Sequence, residues 1–265
     1  MGSVESSSTS VIKGGIVTLT ATPNGDYNFL NWTIDGEVVS TENPYTAIIT
    51  TDTEFTANFI KYYTGVENGH EYVDLGLSVK WATCNVGATS PKEYGDYFAW
   101  GETTPKTTYN WSTYKYCNGT YDSMTKYCTD SEYGIVDNKT TLELSDDAAR
   151  VNWGGSWRMP TRAEYMELEN NCTRTWTTLN GVNGYKVTSN KNGNSIFLPA
   201  AGYRSNGYLS YADSYGGYWL TSLHDDDFYH DYAAEGVTFG PSLQHVVWGY
   251  DIRRHSGLSV RAVCP

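Results

Sequence analysis

Residues 157–165 read Trp157-Arg158-Met159-Pro160-Thr161-Arg162-Ala163-Glu164-Tyr165, and this stretch separates a purely β chain from one with embedded helices. Pro160 stiffens the backbone ahead of a helix start, Thr161 offers a side-chain oxygen to the first free N–H groups, and Glu164 stands three residues on to reach back. Tyr165, Leu168 and Cys172 then make one apolar stripe at helical spacing. A shorter helix is expected over Ser145-Asp146-Asp147-Ala148-Ala149-Arg150, with a serine cap and acidic residues at the positive end of its dipole.

Working outward, the surroundings carry strand signals. Residues 72–82, Tyr72-Val73-Asp74-Leu75-Gly76-Leu77-Ser78-Val79-Lys80-Trp81-Ala82, predict a strand pair about a glycine turn. After Val187 short strands alternate with glycine turns to the C-terminus. Residues 101–138 are rich in Thr, Tyr, Lys and Asn without apolar period, so a long surface excursion is expected there. Further upstream, residues 11–60 alternate with period two: Val17, Leu19 and Ala21 share one face, Ile16, Thr18 and Thr20 the other. Pro23-Asn24-Gly25-Asp26 and Asp35-Gly36 are turn signals, with strands expected over residues 27–34, 38–39, 45–50 and 54–59. Gly65, Asn68 and Gly69 mark residues 63–71 as a linker. The expected organisation is an all-β module over 1–62, that linker, and a second domain over 72–265 that is α+β, two helices in a mainly antiparallel β frame.

Composition narrows the function classes. The 265 residues hold 23 Tyr, 9 Trp and 26 Gly with only 18% charged side chains, below the roughly 25% of an average soluble protein. Such usage suits turn-rich β structure and adaptable binding surfaces. Thirty acidic residues against 18 basic give a net charge of −12, and no Lys/Arg cluster stands out, which argues against a nucleic-acid partner. No stretch reaches the ~20 apolar residues of a membrane span, and Met1-Gly2-Ser3 opens on polar sequence, read as a processed terminus. Cys84, Cys117, Cys128, Cys172 and Cys264 show no C-x-x-C pair and no zinc spacing. Most are expected to be small buried hydrophobes.

Gly14-Gly15-Ile16-Val17-Thr18-Leu19-Thr20-Ala21-Thr22-Pro23, Phe29-Leu30-Asn31-Trp32, Asn43-Pro44-Tyr45 and Thr56-Ala57-Asn58-Phe59 resemble the divergent internalin-type repeats of bacterial surface proteins. That family implies a spacer or stalk, here expected to lack its first strand. Downstream, Asp74 to Gly87, Tyr94-Gly95-Asp96-Tyr97-Phe98-Ala99-Trp100-Gly101-Glu102, Trp153 to Thr161 and Phe197-Leu198-Pro199-Ala200-Ala201-Gly202-Tyr203-Arg204 resemble the Fibrobacter succinogenes major paralogous domain. The resemblance implies a C-type-lectin-like fold, shared with formylglycine-generating enzymes, in which the C-terminal segment varies and binds. It also implies an exported location at the cell surface, outer-membrane-anchored in the manner of a lipoprotein or secreted, in gut-type bacteria, with no signal or anchor among these residues.

Where many members of that family carry an asparagine-dense run, this chain has His224-Asp225-Asp226-Asp227-Phe228-Tyr229-His230-Asp231-Tyr232 and Tyr250-Asp251-Ile252-Arg253-Arg254-His255-Ser256. His, Asp, Tyr, Ser and Ile are single-base neighbours of an asparagine codon, the pattern a diversity-generating retroelement would leave; drift in a surface loop is the alternative. The expected ligand face is His224, Asp225, Asp226, Tyr229, His230, Asp231, Tyr232, Tyr250, Asp251, Ile252, Arg253, His255 and Ser256, with amphipathic rings and charged hydrogen-bonding groups. Phe228, Phe239, Val246, Val247 and Trp248 are read as core.

Asp225, Asp226 and Asp227 with Glu235 offer hard oxygen ligands, so calcium is weighed, but the spacing fits no defined loop and three adjacent carboxylates ordinarily make a solvated face. No metal site and no cofactor is therefore assigned. A thiol site from Cys172 or Cys264 with His245 or His255 is the catalytic alternative; it lacks a matching motif, and Glu164 is already used as a cap, so no catalytic residue is assigned. The expected function is a surface-displayed, adhesin-type binding protein with an unidentified protein or glycan ligand on a host or bacterial surface. A calcium-assisted carbohydrate-binding lectin is the alternative, and a structural surface component without specific ligand the third possibility.

Overall fold

The computed structural model describes all residues except 25–26, 62–63, 224–230, 242–246 and 249–251, and leaves the side chains of residues 60, 61, 247 and 248 undescribed. The chain divides into two compact units, Met1–Tyr63 and Thr64–Pro265.

In the first unit, strands β1 (Gly2–Ser6), β2 (Gly15–Pro23), β3 (Tyr27–Ile34), β4 (Glu37–Ser40), β5 (Tyr45–Ile49) and β6 (Thr56–Lys61) form two antiparallel sheets, ordered β1-β2-β5 and β4-β3-β6. Period-two patterning decides which side is inside: Val17, Leu19 and Ala21 are buried, whereas Ile16 is 63% exposed. Trp32 and Ala47 complete the core with Phe29, Phe55 and Phe59 around them. Asp35 and Gly36 both take positive φ, 50° and 87°, as the two-residue hairpin turn between β3 and β4 requires. Asn43 closes the far end of β2 by accepting from the Ala21 N–H at 2.9 Å and donating to its carbonyl at 2.6 Å. Strand β1 corrects the expectation of a missing first strand. It pairs with β2 from Gly2↔Pro23 to Ser6↔Leu19, and its polar, outward-facing edge gave no apolar alternation to read.

The second unit contains β7 (Thr64–Glu67), β8 (His70–Val73), β9 (Lys80–Ala82), helices α1 (Ala148–Trp153) and α2 (Arg162–Asn171), then β10 (Cys172–Leu179), β11 (Val182–Ser189), β12 (Ser195–Pro199), β13 (Tyr203–Ser205), β14 (Tyr208–Ser210), β15 (Gly216–Leu223), β16 (Ala234–Phe239), β17 (Val247–Trp248) and β18 (Val263–Cys264). Among the described residues the sheets are β18-β9-β8-β7, β10-β11-β12, β13-β14 and β15-β16-β17, every ladder antiparallel. The expected strand pair over 72–82 is present as β8 and β9, with Val73 opposite Trp81.

These elements overturn the expected α+β, C-type-lectin-like fold. Strands take 42% of the chain and helices 9%, spread over many small antiparallel sheets. The helices themselves form where the sequence signals them. At α2, Thr161 accepts from the Glu164 N–H while the Glu164 carboxylate accepts from the Thr161 N–H. They are too short to build a layer: α1 has six residues, and α2 buries only Tyr165 and Leu168. Helix α1 also begins three residues later than expected, because Asp147 rather than Ser145 caps it, accepting from the Arg150 N–H at 3.0 Å.

Two further expectations fail. The 63–71 linker is instead the β7–β8 hairpin, in which Asn68 and Gly69 supply two positive-φ turn residues, 45° and 83°. Turn chemistry without apolar periodicity reads the same in a tight hairpin as in a tether. Residues 101–138 are no surface excursion: Tyr109, Tyr114, Tyr116, Cys117, Met124, Tyr127 and Cys128 all lie in the main core, beside Trp100, Trp157 and Trp219. Burial here runs through isolated aromatic anchors on irregular backbone, which no period reveals. Two of the tryptophan anchors are paired with acceptors, as buried polar groups usually are: the Trp219 indole donates to the Phe98 carbonyl at 2.7 Å and the Trp100 indole to the Leu220 carbonyl at 2.9 Å.

Candidate functional site

The C-terminal segment crosses this core as a strap. Ala234 N–H donates to the Ile252 carbonyl at 3.1 Å, Arg254 N–H to the Tyr232 carbonyl at 3.0 Å, and Trp100 N–H to the Arg254 carbonyl at 2.8 Å. Arg204 and Gly257 exchange a reciprocal pair at 2.8 and 2.9 Å. The side chains of the strap therefore have fixed and different fates.

Arg254 turns fully inward. Its guanidinium donates to the carbonyls of Tyr127 (2.7 Å), Asp231 (2.6 Å) and Lys126 (3.0 Å) and to the Tyr114 hydroxyl (3.1 Å), and it lies 5.4 Å from the ring centres of both Trp100 and Tyr114. A buried cation survives only when its donors are used, and here backbone carbonyls use them. The Tyr127 and Lys126 carbonyls belong to the irregular 101–138 region, so Arg254 also holds that region in place. The sequence reading passed over it as one basic residue among neighbours.

Of the expected ligand face, His224, Asp225, Asp226, Tyr229, His230, Tyr250 and Asp251 lie outside the described residues, as do Asp227, Phe228 and Val246. Asp231 and His255 are corrected to structural roles. The Asp231 carboxylate is 3% exposed and accepts from Thr129 N–H (2.6 Å), Thr129 hydroxyl (2.8 Å) and Asp130 N–H (2.8 Å), fastening a turn. His255 is 6% exposed and meets Trp111 edge to face at 4.5 Å. Burial, then the Arg253 charge, lower its pKa to about 4, so the ring is neutral at physiological pH. Tyr232 is half-buried in a ring cluster with Tyr121 and Tyr133, at 5.9 and 5.8 Å. Phe239, read as core, is fully buried.

Three expected residues do converge. Ile252, Arg253 and Ser256 line an open pocket of about 220 Å³ together with Tyr203, Tyr215, Thr238, Gly217 and Leu258. Arg253 is exposed at its edge, while Tyr203, Tyr215, Ile252 and Ser256 are half-buried. Leu258, 2% exposed, closes one wall. Gly217 leaves room beside it, since a Cβ there would stand 3.3 Å from the Leu258 side chain. Tyr215 interacts with the Thr238 hydroxyl, and burial raises its phenol pKa, keeping the group a neutral hydroxyl. Outside the pocket Tyr211, 65% exposed, stacks on Tyr203 at 5.8 Å with the planes 27° apart. Tyr203, Tyr215 and Thr238 were missed. Their available signal is the tyrosine density of residues 203–215.

Of the metal alternative, Asp225, Asp226 and Asp227 lie outside the described residues. Glu235 is buried and paired with Arg162 at 3.1 Å, and among the described residues no three His, Cys, Asp or Glu side chains group to hold a metal ion. All five cysteines are unpaired, and burial pushes the Cys172 and Cys264 thiols up to about 11, which leaves little thiolate to act as a nucleophile. His245 lies outside the described residues. Among the described residues no helix is long and apolar enough to cross a membrane.

Residues 1–62 match the family model of the divergent InlB B-repeat domain, a repeat of the surface-protein type. No curated protein and no solved structure matches the chain.

Proposed function

We propose that the chain is a surface-displayed, adhesin-type ligand-binding protein, in which the first unit is a spacer repeat and the second carries the binding face. The observation that supports this most is the convergence of Ile252, Arg253 and Ser256, which belong to the segment expected to vary, on one open pocket with Tyr203 and Tyr215. Concave sites with apolar and aromatic walls and a few directed polar groups are the usual form of ligand sites. Tyrosine supplies contact area with few torsions to freeze. The resemblance of residues 70–265 to the Fibrobacter succinogenes major paralogous domain supports an exported location, and the codon neighbourhood of residues 224–232 and 250–256 supports diversification of that face by a retroelement. The reading is of a binding protein, not a catalyst.

The test is binding of the full chain to arrayed glycans and to surface proteins of host and bacterial cells, with and without EDTA, beside Tyr203→Ala and Tyr121→Ala. Hits lost in Tyr203→Ala and kept in Tyr121→Ala are expected. The reverse pattern would move the site to the Tyr121, Tyr133 and Tyr232 cluster, and sugar hits abolished by EDTA would favour a calcium-assisted lectin.

A further inference from the structure

The pocket's lining is chemically lopsided. Four hydroxyls, from Tyr203, Tyr215, Thr238 and Ser256, surround two aromatic walls, and the single charge is the Arg253 guanidinium at the edge. No carboxylate lines it among the described residues. The chain as a whole carries −12, so a cation beside a half-apolar pocket whose lining, among the described residues, holds no carboxylate runs against the average of the surface. At physiological ionic strength charges beyond about 8 Å are largely screened, and a ligand at the pocket meets Arg253 rather than the net charge.

Size narrows the occupant. About 220 Å³ is space for roughly seven waters at their liquid volume, and it falls below the ~300–1,000 Å³ of sites that enclose drug-sized ligands. One six-membered ring with its substituents fits. Tyrosine walls suit the C–H faces of such a ring, clustered hydroxyls suit a polyol, and a planar guanidinium suits a carboxylate, which it can hold in a bidentate manner.

We propose that this pocket takes a single sugar unit carrying a carboxylate, a hexuronic acid or similar terminal acidic sugar, with its ring against Tyr203 and its carboxylate on Arg253. The inference rests on the binding function proposed above and names its ligand class. Ser256 and Thr238 exchange hydrogen bonds with ring hydroxyls. Because a sugar carboxylate is ionised at neutral pH, the contact is charge-assisted and needs no metal.

Titration of the full chain with glucuronic acid, its methyl ester and glucose separates charge from shape. The acid is expected to bind about tenfold or more tightly than either neutral sugar, as loss of one charged hydrogen-bond pair implies. Arg253→Gln is expected to abolish that preference without shifting thermal unfolding, and Arg253→Lys to keep part of it. Equal binding of the three sugars, or a preference that survives Arg253→Gln, overturns the proposal. If none of them binds at high millimolar concentration while array hits still depend on Tyr203, the sugar class is wrong and the binding function stands. If the array hits are independent of Tyr203, this pocket is not the binding site and the proposal falls with it; if the array gives no hits at all, the binding function falls as well.

Discussion

Replacing His255 by Phe tests whether the C-terminal strap is core or ligand face, and pH is the lever. In the folded protein burial and the Arg253 charge hold the His255 pKa at about 4, against 6.5 for an ordinary histidine. Between those values the unfolded chain takes up a proton that the folded one refuses, so stability falls as pH drops from 6.5 towards 4. At pH 5 the unfolded imidazole is almost fully charged and the folded one almost fully neutral. That point lies 1.5 pH units below 6.5 and, at 1.36 kcal/mol per unit, amounts to about 2 kcal/mol relative to pH 7. For a unit of this size the loss corresponds to about 4–8 °C in Tm. A phenyl ring keeps an aromatic partner for Trp111 but cannot titrate, so the variant should lack this part of the decline. His70, whose pKa burial also lowers, and Asp147, whose carboxyl burial raises, contribute equally in both proteins and cancel. Glu164, Asp146 and Asp137 are held below their ordinary range, and their losses begin only under about pH 4.5. The assay is thermal unfolding at pH 7 and pH 5 followed by tryptophan fluorescence, which reports the second unit because only Trp32 of the nine tryptophans lies in the first. Equal losses in wild type and His255→Phe, or an imidazole that titrates near 6.5 by NMR, would show that His255 is open to solvent and refute its placement.

Arg254→Met should cost about 2–4 kcal/mol in urea unfolding, because it leaves the buried carbonyls of Tyr127, Asp231 and Lys126 without a donor; an unchanged midpoint would mean the guanidinium holds nothing. Thr161→Ala removes the cap of α2, in which Thr161 accepts from the Glu164 N–H, and should lower stability by about 1 kcal/mol in the same assay.

What the sequence disclosed and what it hid follow from the range of the interactions. The Thr161 and Glu164 reciprocal cap, the Asp35-Gly36 turn and the alternation of Val17, Leu19 and Ala21 act over two to four residues, and each formed where its residues stand. The fold class failed because two correctly placed helices say nothing of how much chain they organise. Helix α2 buries two side chains, whereas Tyr109, Tyr114 and Tyr127 reach the core from aperiodic backbone. Tyr114 and Tyr127 are held by Arg254 from more than a hundred residues away, a distance over which spacing carries no information.

The pocket shows the same division at single-residue scale. Arg253 and Arg254 are adjacent and alike in chemistry, yet one is exposed at a pocket edge and the other fully buried; only the strand pairing of the strap with residues 232–234 assigns them. That pairing has a functional consequence. With Arg254 and His255 locked into the core, the residues beside them are presented by a backbone that need not order on binding, which lowers the entropic cost of association. Rigid support behind a varied face also separates the two kinds of substitution. Changes at Ile252, Arg253 and Ser256 should alter what is bound while leaving the fold intact, whereas changes at Arg254 should unfold the unit before they alter specificity. A face built to vary must keep those two sets apart, and here Arg254 and His255 form a buried pair set between Arg253 and Ser256 on one strap.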